Sequence, residues 1–134
     1  GATQDQLYKR CRAWFAKSFK SANDVLQMDT KDELIGKAIW TYSVYMGLGK
    51  ANVDVEFMIS VKIKEGRYKC QITDFKEVGM SRSLMDLISD DKVFKENGKP
   101  RKMNMDYRTE TIRAATTLMR ALQWNMEGSA EDRW

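Results

Sequence analysis

The 134-residue sequence contains no histidine, one proline and two cysteines. Without histidine the chain cannot build a Ser-His-Asp triad or a Cys-His dyad, and it lacks the usual ligand of catalytic zinc. The single proline, Pro100, argues against proline-rich linkers. No apolar run reaches the roughly 18–20 residues that a transmembrane helix needs. We therefore expect no catalytic residues, no metal and no other cofactor, and we predict that the protein is not an enzyme.

The two cysteines, Cys11 and Cys70, are far apart in the sequence and form no CxxC motif. Each falls on an apolar face of its predicted element. Two interpretations stay open: both are small buried hydrophobic residues, or they form a disulfide if the chain is exported.

The charge balance is mildly basic, with 23 Lys and Arg against 19 Asp and Glu and a net charge of +4. These charges are spread along the chain, whereas nucleic-acid proteins usually concentrate Lys and Arg on one face. The pattern favours a solvated surface, so we do not expect nucleic acid as the partner.

Helical patterns lie near both ends of the chain. Thr3 and Gln6 fit a capping box, and an apolar stripe follows at helical spacing at Leu7, Cys11, Trp14, Phe15 and Ser18. A second helix is predicted from about Asp106, with Gly128 as its C-terminal cap. Its apolar stripe consists of Ile112, Ala115, Leu118, Met119, Leu122 and Met126. Residues 129–134 are predicted to be a tail.

Strand patterns fill the middle of the sequence. A short strand over Asp24–Asp29 precedes a long one over Leu34–Met46, whose even-numbered residues are predicted to face the core. Val53–Lys64 alternates apolar and polar residues and predicts a half-buried strand. Glu65-Gly66 supplies a two-residue hairpin turn, and Gly47–Lys50 predicts another hairpin connection because it lacks the spacing of a phosphate loop.

The order of elements is helix, four strands, an irregular segment over 81–105, and helix. This order predicts an α+β fold: a two-layer sandwich with an antiparallel sheet of about four strands and both helices on one face. We predict one domain over 1–128.

A basic cluster at the tip of the predicted hairpin is the first candidate site. It consists of Lys62, Lys64, Arg67 and Lys69. The hairpin register places Lys62 opposite Lys69, and like charges in that position are unfavourable. Either an anion binds there and offsets the repulsion, or the cluster is a solubilising tip.

An apolar patch on the outer face of the sheet is the second candidate site. It consists of Ile35, Ile39, Met58 and Phe75. This patch predicts a surface for a protein partner, or one covered by residues 81–98 or by a second copy of the chain in a homodimer.

A methionine-rich stripe is the third candidate. Met119 and Met126, with Met103 and Met105 nearby, predict either a pocket for an apolar small ligand between the sheet and the last helix or a plain core.

Several short segments together resemble a known bacterial family. They are, in order, Leu7–Arg10, Trp14-Phe15, Asp24–Gln27, Ile35–Lys37, Glu65–Tyr68 and Thr73–Phe75. The sequence resembles the domain of unknown function 4468 of Bacteroides-type bacteria over about residues 3–77. The resemblance implies a TATA-box-binding-protein-like or helix-grip-like fold with a curved antiparallel sheet around a long helix. Family members usually have a strand before the first helix, and we find no strand pattern ahead of Thr3.

The resemblance carries no known catalytic residues, but it bears on location. It implies export to the periplasm or cell envelope, with a signal peptide removed ahead of Gly1; the cytoplasm is the alternative. We therefore predict a non-enzymatic binding or interaction domain of the bacterial cell envelope. The alternative is an anion- or nucleic-acid-binding module that acts through the basic hairpin over 62–69.

Overall fold

The computed structural model describes residues 2–19, 25–80 and 83–128. Its elements are α1 (Gln4–Ser18), β1 (Leu26–Asp29), β2 (Glu33–Tyr45), β3 (Lys50–Lys64), β4 (Arg67–Glu77), α2 (Met85–Ile88), α3 (Asp90–Val93) and α4 (Lys102–Met126). The four strands form one antiparallel sheet in the order β1-β2-β3-β4. The predicted α+β class with a four-stranded sheet is confirmed, and the predicted tail over 129–134 lies outside the described residues.

Packing divides the chain into two compact units. Unit 1 comprises Gly1–Ala38, Met58–Thr73 and Thr116–Trp134, and unit 2 comprises Ile39–Phe57 and Asp74–Ala115. β2, β3, β4 and α4 contribute residues to both units.

The first helix forms as its sequence predicts. The side chain of Thr3 accepts a hydrogen bond from the backbone of Gln6, and the Gln6 side chain accepts one from the backbone of Thr3. This capping box satisfies two backbone donors that a helix start otherwise leaves unpaired. The buried side chains of α1 are Leu7, Cys11, Trp14 and Phe15, which are the predicted stripe except for Ser18, which is exposed.

The inner face of the sheet follows from alternation along β2 and β3. The buried residues of β3 are Val55, Phe57, Ile59, Val61 and Ile63, each separated from the next by one less buried residue. In β2 the even-numbered Gly36 contacts Phe15 of α1 within unit 1, and the even-numbered Tyr42 meets Thr111 of α4 within unit 2. Both helices therefore pack against the predicted inner face.

One residue of the predicted apolar patch lies in the core instead. Phe75 is 5% exposed and stacks on Phe57, with ring centroids 5.1 Å apart. Strict alternation along β4 placed it on the outer face, and that prediction is wrong. Asp74 has a positive φ of 59°, and one left-handed residue in a strand moves the following side chains to the other face.

The apolar stripe predicted for the last helix is also partly wrong. Its inner face carries Tyr107, Thr111, Ala114, Leu118, Leu122 and Met126, which are all buried. Ile112 and Met119, which the prediction placed inside, are 57% and 40% exposed. The hydroxyl of Thr111 lies 2.9 Å from that of Tyr42. This hydrogen bond offsets the cost of burying the Thr111 hydroxyl, so a threonine can occupy a core position. A search for apolar residues at helical spacing does not identify such a position.

Both cysteines are free thiols in unit 1. Burial raises the pKa of Cys11 to about 12, and the neighbouring Cys70 and Asp29 add to the shift. Burial also raises the pKa of Cys70 to about 11. Cys11 is buried and Cys70 is half-buried, so the interpretation as a small buried residue fits Cys11 fully and Cys70 in part.

These thiols are expected to resist alkylation. At about pH 8 a free cysteine with a pKa of about 8.5 is partly ionised, whereas a thiol with a pKa near 11 or 12 is almost entirely protonated. We expect iodoacetamide to label the folded protein at least about 100-fold more slowly than it labels glutathione. Mass spectrometry over time measures the rate, and the urea-unfolded protein serves as the control. Rapid labelling of Cys70 in the folded protein would contradict this burial.

An ion pair joins the first helix to the first strand. The Tyr8 hydroxyl donates to Asp29 Oδ1 over 2.7 Å and Arg12 Nε donates to Asp29 Oδ2 over 2.9 Å. Partial burial raises the pKa of this carboxyl, but the hydrogen bonds from Tyr8 and Arg12 outweigh it and lower the pKa below the ordinary 3.8. A carboxyl with a lowered pKa stabilises the fold above its unfolded-state pKa, and this contribution is lost as the pH falls through the folded-state pKa.

Replacing the Asp29 carboxyl should make Tm depend less on pH in the acid range. We expect Asp29→Asn to lower Tm by about 2–5 °C at neutral pH and to lose less Tm than the wild type as the pH falls below about 4. Differential scanning fluorimetry across this range measures both effects. Asp86→Asn, at an exposed position, is the matched control. Parallel Tm curves for Asp29→Asn and the wild type would show that the pair carries no pH dependence.

Candidate functional site

A basic cleft in unit 2 is the strongest candidate site. It has a volume of about 560 Å³ and is lined by Tyr45, Met46, Gly47, Lys95, Pro100, Arg101, Lys102 and Met103. These residues come from the end of β2, the turn after it, the segment before α4 and the first turn of α4. Among the described residues, the lining combines three basic side chains with one aromatic ring and two methionines and includes no carboxylate.

The segment before α4 is held in shape by its own backbone. Lys95 N–H donates to the carbonyl of Lys99 over 2.8 Å, and Gly98 N–H donates to the carbonyl of Lys95 over 2.9 Å. Gly98 has a φ of +82°, a conformation that glycine adopts without strain. This turn fixes the backbone at Lys95, on one side of the cleft.

The second cation of the cleft also has a structural role. One guanidinium nitrogen of Arg101 donates to the carbonyls of Lys92 and Phe94, over 3.2 and 3.1 Å. Both acceptors are neutral, so these bonds orient the guanidinium without neutralising its charge. Arg101 therefore keeps its full positive charge at the cleft.

Tyr45 forms the aromatic wall of the cleft, and hydrogen bonds from its hydroxyl and its backbone hold it in place. The Tyr45 hydroxyl donates to the carbonyl of Gly47 over 2.7 Å, and the Tyr45 N–H donates to Asp106 Oδ2 over 2.8 Å. Lys102 Nζ lies 5.2 Å from the centre of the Tyr45 ring, a cation–π arrangement. Lys50 Nζ lies 4.0 Å from Asp106 Oδ2. Asp106 thus balances part of the local charge, and the basic side chains remain in excess.

This arrangement suits an anionic group. Lysine and arginine form the stronger, charge-assisted hydrogen bonds with phosphate and carboxylate oxygens. All three cations are exposed, so their effect depends on several of them contacting one anion together. The cleft offers donors for an anion and apolar side chains for an attached hydrocarbon group.

The sequence contains a local concentration of basic residues at this cleft, which the overall composition does not reveal. Five of the residues between 92 and 102 are basic: Lys92, Lys95, Lys99, Arg101 and Lys102. The segment lies outside any long periodic element, so the pattern could not show which side chains converge. Tyr45 and Met46 are distant in sequence, and only the fold brings them to the same cleft.

The predicted basic hairpin is exposed along both of its strands. Lys62, Lys64, Arg67 and Lys69 are all exposed, and the two-residue turn at Glu65-Gly66 forms with a φ of +74° at Gly66. Arg67 lines a second cleft, of about 420 Å³ in unit 1. We call this second cleft the hairpin cleft.

The hairpin cleft is less favourable for an anion than the basic cleft. Its lining adds Arg10 and Tyr68 to Arg67, but it also includes the carboxylate of Glu127. A guanidinium nitrogen of Arg10 donates to the carbonyl of Met126 over 3.0 Å. The local charge is therefore closer to balance than in the basic cleft.

The other predicted sites are dispersed. Of the apolar patch, Ile35 and Met58 are half-buried, Ile39 is 57% exposed and Phe75 lies in the core. The four methionines do not line one face, because Met126 is buried whereas Met119 and Met103 are 40% and 37% exposed. The four patch residues therefore do not form one exposed surface, and the plain-core alternative for the methionines fits the buried Met126.

Two further searches of the chain bear on the class of site. Within residues 2–19, 25–80 and 83–128, no group of three or more His, Cys, Asp or Glu side chains is placed to hold a metal ion. Within the same ranges, no helix is both long and apolar enough to span a bilayer.

Two solved structures are similar to this fold. A DUF4468 family protein from Bacteroides ovatus has a TM-score of 0.74 at 16% identity, covering 96% of this chain and 81% of that one. A TBP-like protein from Parabacteroides distasonis has a TM-score of 0.60 at 10% identity, covering 92% of this chain and 86% of that one. At such identities the likeness shows the fold alone, which is that of a TATA-box-binding-protein-like α+β domain. No curated protein matches the sequence.

The family follows from the sequence match. Residues 1–77 match the family described as a domain of unknown function (DUF4468) with TBP-like fold. The match covers more than half of the 134 residues, and the chain belongs to this family. The predicted resemblance over about residues 3–77 is confirmed. A fold name does not supply an activity, so function has to be argued from the clefts.

Proposed function

We propose that the protein is a non-enzymatic binding domain of the bacterial cell envelope that holds an anionic group of its ligand in the basic cleft. The observation that carries the proposal is the convergence of Lys95, Arg101 and Lys102 on one cleft beside the Tyr45 ring. Membership of the family supports the envelope as the location.

The geometry favours this cleft over the basic hairpin. Three cations line the basic cleft, whereas Arg67 is the member of the basic hairpin that lines the hairpin cleft, beside the carboxylate of Glu127. Exposed cations bind an anion weakly unless several of them contact it together. The hairpin therefore serves as a matched control with the same type of charge.

The test compares two double variants that remove the same charge. Lys95→Gln with Lys102→Gln alters the basic cleft, and Lys62→Gln with Lys64→Gln alters the hairpin; Arg101 is left in place because it also holds the loop. With polyphosphate as the probe, we expect the cleft variant to bind about tenfold or more weakly, because hydrogen bonds to charged groups contribute about 1.5–3 kcal/mol each. The hairpin variant should change by less than about threefold.

Isothermal titration calorimetry at two salt concentrations measures the polyphosphate affinity of the wild type and of both double variants. Equal losses would show that only net charge matters, and a larger loss in the hairpin variant would transfer the site to residues 62–69. Absence of polyphosphate binding by the wild type would overturn the proposal. Fractionation of the native bacterium tests the location separately, and recovery with a cytoplasmic marker protein would contradict export.

A further inference from the structure

The turn between β2 and β3 carries an apolar side chain that the fold does not use. Leu48 is fully exposed, at 105% of its reference area. The turn is closed by a hydrogen bond of 2.8 Å from Met46 N–H to the carbonyl of Gly49, and Gly47 and Gly49 have φ values of +90° and +141°. The backbone thus needs glycine on both sides of Leu48, but it does not need leucine at the tip.

The apolar tip adjoins the basic cleft. Gly47, next to Leu48, lines the cleft, and so do Met46 and Met103. These two methionines are 42% and 37% exposed. Three apolar side chains therefore project from or border the same region of unit 2 that carries the cations.

The cations near this tip exceed the carboxylates. Lys95, Arg101 and Lys102 line the cleft, and Lys50, whose side chain is 63% exposed, follows the turn. Asp106 is the acidic partner that Lys50 meets at 4.0 Å. An exposed leucine next to a basic cleft is unfavourable against bulk water, but it matches a surface with anionic headgroups above an apolar layer.

We infer that this end of unit 2 docks on an anionic membrane surface. Leu48 enters the boundary between headgroups and acyl chains together with Met46 and Met103, and the cleft cations bind the phosphate groups of the lipids. Tyr45 lies where aromatic residues concentrate in membrane proteins, at the boundary between the apolar and the wet layer. This inference rests on the proposed function, because it assigns the anion of the basic cleft to a lipid headgroup.

The membrane is a better occupant than a soluble protein because of the shape of the tip. A protein partner would need a cavity that accepts Leu48 and an acidic rim that matches the cations. A bilayer accepts a protruding side chain without a preformed cavity, and an anionic leaflet attracts each nearby basic residue. The area is small, so the expected binding is reversible and depends on salt.

The test uses the whole chain and two kinds of vesicle. Phosphatidylcholine vesicles with added phosphatidylglycerol should bind the wild type in a flotation assay, and phosphatidylcholine vesicles alone should bind it at least about tenfold more weakly. Leu48→Ser should weaken binding to the anionic vesicles by about tenfold. The same variant should bind polyphosphate as the wild type does, because its cations are intact.

Ile39→Ser is the matched control, since Ile39 is 57% exposed and does not line the basic cleft. It should bind the anionic vesicles as the wild type does. Unchanged vesicle binding by Leu48→Ser, or an equal loss in Ile39→Ser, would overturn the membrane inference and leave the proposed function intact. If Lys95→Gln with Lys102→Gln kept both polyphosphate and vesicle binding, the proposed function itself would fail.

Discussion

Phe75→Ala is expected to lower the free energy of unfolding by about 3–5 kcal/mol, the range for removing a buried aromatic side chain. The ring is 5% exposed and stacks on Phe57 with an interplanar angle of 26°. Leu84, also buried, donates its N–H to the carbonyl of Phe75 over 2.8 Å. Truncation would remove contacts on several sides, and the closely packed neighbours could fill the cavity only in part.

Urea unfolding followed by circular dichroism measures this loss. Phe94→Ala is the matched control, because Phe94 is 38% exposed; we expect it to cost less than about 1.5 kcal/mol. A loss below about 1 kcal/mol for Phe75→Ala would place the ring on the outer face, as strict alternation along β4 predicts. The experiment therefore distinguishes the two positions of one side chain.

The sheet was largely predictable because its signals are local. Alternation along Val53–Lys64 and the turn at Glu65-Gly66 agree on one register. The prediction of which β3 side chains face the core is therefore correct at each buried position. The exception in β4 depends on Asp74, whose φ is +59°. Aspartate tolerates the left-handed region better than most residues, but it is also common in ordinary turns and strand ends. The residue type alone could not show that the alternation would shift there.

The last helix shows a second limit of hydrophobic patterns. Ile112 and Met119 suggested an inner stripe, yet both are exposed, and Thr111 is buried. Thr111 can lie there because the Tyr42 hydroxyl, from a strand far away in the sequence, supplies its hydrogen-bond partner. A pattern read from one helix contains no information about that partner.

The candidate site was less predictable than the fold. The basic hairpin is exposed as its sequence suggests, but exposure alone does not make a binding site. The basic cleft depends on the turn at Gly98 and on Tyr45 from β2, which the fold brings together from separate parts of unit 2. Charge clustering in the segment over 92–102 was visible in the sequence, whereas concavity was not.

Gly36→Val is expected to cost about 3 kcal/mol or more, because it inserts a branched side chain into a filled core. A Cβ at this position would lie 2.5 Å from Cε1 of the Phe15 ring and 3.2 Å from Cγ1 of Val25. Phe15 is fully buried and contacts the rings of Trp14 and Phe19 at centroid distances of 5.0 and 6.0 Å. The ring therefore cannot move away without disturbing an aromatic cluster.

The smaller change Gly36→Ala should cost about 1–3 kcal/mol, and a double-mutant cycle with Phe15→Leu identifies the cause. Leucine lacks the ring edge that the new Cβ would meet, so the double variant should be about 0.5–3 kcal/mol more stable than the sum of the two single changes predicts. Urea unfolding of all four proteins gives this coupling energy. Strict additivity would mean that alanine is tolerated without contact to the ring. In that case the close approach of α1 to β2 would not explain the glycine.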